Sequence, residues 1–306
     1  MRSLKNLSKL FLRQLFEVGQ RFGFDVLPRH FYSETPVIHQ LKKDDAWREP
    51  FSMVGVQGAD IDAQMGFVKQ CINSDLVAHQ KKTRIHYEAC QENGEEGFGP
   101  IESDFLFCFI ASQKPARIIQ IGSGVSTAIC RAAARHVGYS PKITCIDPYP
   151  TGFLKKLESE KAITLIEEKV ELLDLSFLNS LEEGDFFFVD STHTLGPAGE
   201  VSRIVLEMLP RLSKGCLVHF HDITFPYDYS PGILSDSLFF VHESVLLHAF
   251  LAGNSNFKIL ASLSMLHNAL GGKLSQWLPN YQPAGMEYGM IIRAGHFPSS
   301  AYLLVT

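Results

Sequence analysis

Polar groups able to do chemistry gather at four points in the sequence, each at the end of a short apolar run. Gly122-Ser123-Gly124 follows Ile118–Ile121, and Asp147 follows Ile143–Ile146. Asp190, with His193 three residues on, follows Phe186–Val189, and His221-Asp222 follows Cys216–Phe220. Histidine is the side chain best suited to take or give a proton near neutral pH, because its unperturbed pKa is about 6.5. The candidates are His193, His219 and His221; strand alternation puts His219 and His221 on one side and Asp222 on the other. The glycines do different work. Lacking a Cβ, they let the backbone turn sharply and come close to a ligand. An acid placed like Asp147, just past a second strand, can accept hydrogen bonds from ribose hydroxyls.

These groups need elements to hold them. The stretch from Ala116 to Pro148 runs strand, glycine turn, helix (Thr127–His136), strand, carboxylate. That order opens a nucleotide-binding α/β domain, whose buried parallel strands read as continuous apolar runs. Ile163–Ile166 reads as a third strand, Phe186–Val189 as a fourth and Cys216–Phe220 as a fifth. A helix over Gly199–Leu212 presents Val201, Ile204, Val205, Met208 and Leu212 on one face. A longer helix, about Leu238–Ala252, precedes a sixth strand at Lys258–Ala261, and Gly289–Arg293 reads as the last strand. The alternation predicts a doubly wound, mostly parallel sheet with helices on both faces, and ligands sit beyond the carboxyl ends of such strands.

Upstream, Met1–Phe24 interleaves Arg2, Lys5, Lys9, Arg13 and Arg21 with Leu4, Leu7, Leu10, Phe11, Leu15 and Phe16, the pattern of an amphipathic helix. Packing on the domain or on a second subunit is the plain reading of its apolar face; weak contact with a membrane surface is the sharper one. Residues 25–58 read as an irregular, aromatic-rich wrap. Asp60 is placed to cap a helix over Ile61–Asn73, Lys81–Pro100 reads as an exposed loop, and Glu102–Ser112 as a helix. The expected division is an N-terminal extension over 1–98 and a catalytic domain over 99–306.

Of the 306 residues, 45% are hydrophobic and 20% charged, ordinary proportions for a globular chain. A net charge of -5 argues against a nucleic-acid surface. Six cysteines, none in a C-x-x-C pair, fall mostly in apolar patterns and read as reduced packing residues, which fits the cytoplasm. No stretch approaches the ~20 apolar residues of a spanning helix, and the N-terminus lacks the form of a signal peptide.

The glycine turn helps to choose a cofactor. A dinucleotide site usually carries G-x-G-x-x-G, but Thr127 stands at the third glycine, and the unit opens more than a hundred residues into the chain. Both departures favour S-adenosylmethionine, which has no pyrophosphate to cradle. The blocks IIQIGSGVST, CIDPYP, LEEGDFFFVDSTH, LPRLSKGCLVHFHDI and YGMIIR make the chain resemble a class I S-adenosylmethionine-dependent methyltransferase over roughly Gly99–Arg293. LPRLSKG, VHFHDITFPYDY and the early FGFDVLPRHFYS segment also resemble a bacterial subgroup linked to natural-product or glycan tailoring.

The resemblance implies a Rossmann-like sheet of seven strands with the last antiparallel. It also implies methyl transfer to a hydroxyl of a small molecule or sugar. The candidate cofactor residues are then Gln120, Gly122, Ser123, Gly124, Ser126, Thr127, Asp147, Pro148, Glu171, Leu172, Asp190 and Ser191. Gly122, Ser123 and Gly124 approach the methionine moiety, Asp147 holds the ribose, and Val170-Glu171-Leu172 lies near the adenine. Gln120 stands where many members carry an acid; its amide can hydrogen-bond but cannot pair as an ion with the cofactor's ammonium.

His193, His221 and Asp190 are the catalytic candidates. In metal-dependent relatives, such as catechol and macrocin O-methyltransferases, acids end the fourth and fifth strands and hold a magnesium ion. The corresponding set here is Asp190, His221 and Asp222, whose imidazole suits zinc, iron, manganese or nickel better. Alternatively, Asp190 caps the next turn and orients a histidine. Phe225, Pro226, Tyr227, Tyr229 and Pro231 form either an acceptor wall or a rigid turn, while Glu243, His248 and His267 read as mainly structural. The partners expected are a small-molecule acceptor and a second copy in a homodimer. A nicotinamide-dependent oxidoreductase is the competing enzyme class, disfavoured by Thr127 and by the missing Tyr-x-x-x-Lys pair. A cofactor-binding subunit without catalysis is the third.

Overall fold

The computed structural model describes residues 2–44, 46–235 and 238–306, with side chains left out for residues 2–8. The chain divides into two compact units, Met1–Asp44 and Asp45–Thr306. In the first, helix α1 (Arg2–Arg21) occupies the segment expected to be amphipathic, and α2 (Ile38–Leu41) is a single turn. Phe11, Leu15 and Val18 recur along α1 at helical spacing and share one stripe. Met1, and the side chains of Arg2, Leu4, Lys5 and Leu7 that belong to the same pattern, lie outside the described residues.

The second unit opens with four helices: α3 (Ile61–Cys71), α4 (Ser74–Lys82), α5 (Ile85–Asn93) and α6 (Pro100–Gln113). Asp60 caps α3 by accepting from the Ala63 amide at 2.7 Å. Then come β1 (Arg117–Ile121), α7 (Val125–His136), β2 (Lys142–Ile146), α8 (Gly152–Ser159), β3 (Thr164–Ile166) and β4 (Phe186–Val189). They are followed by α9 (Glu200–Arg203), β5 (Leu217–Phe220), α10 (Glu243–Leu251), β6 (Phe257–Ser262) and α11 (Leu263–Leu270). Strands β7 (Gly285–Glu287), β8 (Met290–Arg293) and β9 (Ala301–Val305) complete the order.

Seven strands form one sheet in the order β3-β2-β1-β4-β5-β9-β6. β1 to β5 pair in parallel, and β9 runs antiparallel to both β5 and β6. Alternation along the central strands supplies two cores. Ile118, Phe186, Phe188 and Leu217 pack with the α6 and α7 side chains Phe105, Phe109 and Ile129. Ile119, Ile121, Phe187 and Val218 point the other way, onto Ile204, Met208 and Leu247. A fully buried phenylalanine contributes about 1.5–3 kcal/mol, and Phe186, Phe187 and Phe188 are all 0% exposed. The six cysteines are buried and free.

Three expectations need correction. Gly289–Arg293 does not enter the main sheet: β8 pairs with β7 in a separate hairpin that turns at Tyr288-Gly289, both at positive φ. The antiparallel position belongs to β9, because Ala301–Leu303 and Val305 are buried while Met290–Arg293 are exposed throughout. Lys81–Pro100 is not a loop: α5 lies inside it, with Ile85, Ala89 and Cys90 buried at helical spacing and Gly94 closing it in the left-handed conformation at φ +82°. The helix over Gly199–Leu212 is irregular; α9 widens over Ile204–Met208 and tightens at Leu209–Arg211, where Pro210 has no N–H to continue the ladder.

The strand ends are locked to one another. The Gly122 amide donates to Ile146 O at 3.1 Å and the Asp190 amide to Ile121 O at 2.9 Å. Gly122 sits at φ +74°, and a Cβ there would lie 1.9 Å from Asp190 O. Gly122→Ala should therefore destabilise the protein by about 1–3 kcal/mol, read as a lower urea midpoint at unchanged m-value.

Candidate active site

Beyond the ends of β4 and β5, one histidine is surrounded by carboxylates. His193 adopts φ +61°, a left-handed conformation that few non-glycine residues take. Its Nδ1 lies 2.6 Å from Oε2 of Glu243, which is 1% exposed. Its Nε2 lies 3.4 Å from Asp222 Oδ2 and 3.8 Å from Asp190 Oδ1. Ser191 braces the pair, its hydroxyl donating to Glu243 Oε1 at 3.1 Å and accepting the His193 amide at 3.2 Å.

The charges set the proton affinities. Burial disfavours a charged His193, but the hydrogen bond and charge of Glu243, reinforced by Asp222 and Asp190, raise its pKa to about 9. Desolvation raises Asp190, with Asp222 and Asp147 adding to it and His221 and His193 opposing. Desolvation also works against ionised Asp222, yet His221, His193 and the Ser299 hydroxyl outweigh it and hold Asp222 low. His193 is accordingly an imidazolium among carboxylates.

The sequence reading missed Glu243 as His193's partner. The two are 50 residues apart, and an acid in the first turn of a helix ordinarily serves the helix dipole. The missed signal was an acid opening an otherwise apolar helix, ESVLLHAFL.

The other histidines divide. His219 is fully buried, stacked on Phe188 at 4.3 Å and bonded to the Ser300 hydroxyl, and desolvation holds it neutral. His221 shares that face, with its ring 4.6 Å from Phe98 and its Nε2 3.6 Å from Asp222 Oδ1. Asp222, at φ +52°, leaves the strand geometry and faces His193. A second imidazole–carboxylate pair escaped the sequence reading: His296 Nε2 lies 2.7 Å from Oε2 of Glu102, which is 0% exposed. Glu102 Oε1 accepts the Ser299 amide, and the Ser299 hydroxyl donates to Asp222.

The expected metal set of Asp190, His221 and Asp222 is not assembled; among the described residues no three His, Cys, Asp or Glu side chains are grouped to hold an ion. The physical reason is local. Asp222 is engaged by Ser299 and His193.

The cofactor candidates fall into two layers. Around the glycine turn, Asp147 Oδ2 accepts from the Ser123 amide and hydroxyl, each at 3.2 Å, and Oδ1 accepts the Tyr149 amide. Gly124, at φ +139°, packs against Asn93. Leu172 is 70% exposed on the short turn Val170–Leu172, where Glu171 also sits, and Pro148 continues the β2 end. Behind the turn, Gln120 is fully buried, donating to the Ser126 hydroxyl and accepting from Thr127, whose hydroxyl accepts the Gly124 amide. This layer fastens the loop. The front layer suits S-adenosylmethionine: a turn that only glycine can make, and a carboxylate held in place at a strand end.

Beside His193 lies a cavity of about 310 Å³ walled by Asp222, Tyr229, Ile233, Met286, His296 and Phe297, among others. The glycine turn, Asp147 and the histidine cluster thus share one rim: Ser123 touches Asp147, Gly122 abuts Asp190, and Asp190 faces His193.

Residues 119–223 match the profile of a family described as methyltransferase domain. A relative from Archaeoglobus fulgidus without an assigned function is 26% identical over 210 residues, 65% of this chain and 91% of its own. Among solved structures, the SAH-bound Podospora anserina methyltransferase PaMTH1 aligns over 92% of this chain and 99% of that one, at 16% identity and a TM-score of 0.41. A branched-chain polyamine synthase variant from Thermus thermophilus aligns over 72% and 63%, at 15% identity and a TM-score of 0.41. The match to a methyltransferase domain spans β1 to the end of β5, the part of the sheet that carries the glycine turn, Asp147, Asp190 and His221-Asp222. Among the described residues, no helix is long and apolar enough to cross a membrane.

His193 gives the site a pH signature. Its folded-state pKa is raised, so its contribution to stability is complete below about 6.5 and is lost as pH rises through about 9. Histidine NMR should show one imidazole titrating near pH 9, and Glu243→Gln should move that titration down and flatten the alkaline loss of stability.

Proposed function

We propose that this protein transfers a methyl group from S-adenosylmethionine to a hydroxyl of a small molecule or sugar, with His193 as general base and Glu243 as its positioning partner. The observation that carries the reading is the 2.6 Å contact between His193 Nδ1 and Glu243 at the edge of a cavity that also contains Asp222. When bound, the cofactor supplies an electrophilic methyl on a sulfonium, so the chemistry needs an oriented acceptor and a place for its proton.

Glu243 fixes the ring by accepting from Nδ1, which leaves Nε2 facing the cavity as the acceptor of the hydroxyl proton. The imidazolium formed is stabilised by Glu243, Asp222 and Asp190. Because His193 begins protonated, it must shed a proton before it can act; positive charge brought close to it would lower its pKa and favour that step. Asp147 would hold the ribose hydroxyls, Gly122, Ser123 and Gly124 the methionine moiety, and Glu171 with Leu172 the adenine edge. Asp190, at the glycine turn, is the acid available to the cofactor's ammonium in place of Gln120. The reading requires no metal ion.

Calorimetric titration should detect S-adenosylmethionine and not NAD, and Asp147→Ala should weaken binding about 10- to 100-fold, the effect of losing a charged hydrogen bond. A chain that takes NAD alone would overturn the reading. In methyl-transfer assays, kcat/KM should climb with pH through an inflection near 9. His193→Ala should retain S-adenosylhomocysteine while kcat falls about 10²- to 10⁴-fold; Glu243→Gln should lower kcat and move the inflection to lower pH.

A further inference from the structure

A second recess adjoins the cavity and has no part in the chemistry above. It measures about 170 Å³ and is walled by Trp47, Tyr227, Tyr229 and Tyr288, with Arg48 and Glu287 at its polar edge. Tyr229 and Met286 line both spaces, so the recess and the reaction cavity meet at a common wall.

The fold holds its aromatic rings in place. The Tyr227 hydroxyl donates to Asn268 at 2.5 Å, and the Tyr229 hydroxyl pairs with His242 at 2.9 Å, so both rings are tethered at their polar ends. The β7–β8 hairpin turns at Tyr288-Gly289, and a Cβ on Gly289 would lie 2.9 Å from Trp47, so glycine there lets the turn close on the indole. The Arg48 guanidinium lies 5.1 Å from the Trp47 ring and 5.3 Å from that of Tyr288, a cation–π arrangement joining the two.

We infer that this recess is a saccharide subsite: the acceptor is a glycoside of at least two units, one in the reaction cavity and the next against Trp47 and Tyr288. The inference rests on the proposed methyl transfer and narrows its acceptor. A pyranose ring has an apolar C–H face and a rim of hydroxyls. Aromatic faces bordered by a guanidinium and a carboxylate match both surfaces. A reaction cavity of 310 Å³ stands at the small end of ligand sites, which run from about 300 to 1,000 Å³, and the recess extends it.

The chain has two tryptophans, Trp47 and Trp277, so Trp277→Phe leaves the indole of the recess as the sole tryptophan reporter. The full chain, loaded with S-adenosylhomocysteine, would be screened on an array of defined mono-, di- and trisaccharides. The strongest binder would then be titrated against Trp47 fluorescence. The expected result is saturable binding of a di- or trisaccharide with a change in Trp47 emission. Tyr288→Ala and Trp47→Ala should weaken that binding tenfold or more while leaving S-adenosylhomocysteine affinity unchanged. Retention of no saccharide by a chain that binds S-adenosylhomocysteine would overturn the subsite alone, as would saccharide binding indifferent to both substitutions. Failure to bind S-adenosylhomocysteine would instead strike the proposed methyl transfer. Should Trp47→Ala fail to fold, the 68% exposed Tyr288 provides the decisive variant.

Discussion

Negative charge removed from water must be answered nearby, and that requirement organises the rim of this sheet. Glu243 and Glu102 are 1% and 0% exposed. An unpaired ion at such depth would be strongly destabilising. Each faces an imidazole at hydrogen-bonding range, and Asp222, linked to both pairs through His193 and Ser299, joins them into one network. The acids come from α6, the β5 end and α10, so the electrostatics also tie three distant parts of the chain together.

The sheet provides the rigidity this network needs. Phe186 to Val189 are buried on both faces, which fixes where the chain emerges at Asp190. The left-handed turn at His193 then brings the ring back over the strand ends instead of letting it follow the chain away. The glycine turn after β1 leans on the Asp190 carbonyl. Loop and histidine therefore share one backbone support, and any shift of β4 would move both.

The sequence made the centre of the sheet legible because its signals are local. An apolar run followed by glycine, aspartate or histidine marks β1, β2, β4 and β5 directly, and the two-residue periodicity of strands puts His219 and His221 on one face. Glu243, Glu102 and His296 were hidden for a physical reason: their roles are set by residues 50 to 197 positions away, and only Glu243, an acid opening an otherwise apolar helix, carries any local sign. Met290–Arg293 misled for a related reason. An Ile-Ile pair reads as buried strand, yet the polar Tyr288-Gly289 turn folds it into an exposed hairpin, while the less conspicuous AYLLV enters the core. Residues 81–100 show the converse, where abundant charge concealed α5.

The place of β9 in the sheet bears on how the chain acquires its structure. β9 lies between β5 and β6, yet it is made some forty residues after β6 and eighty after β5. At about 5–20 residues per second, a growing chain holds both of those strands with open edges for several seconds. Open edges invite pairing with other chains. Assembly of this sheet is thus a problem of timing as well as packing, because β5 and β6 cannot be joined until β9 has been made.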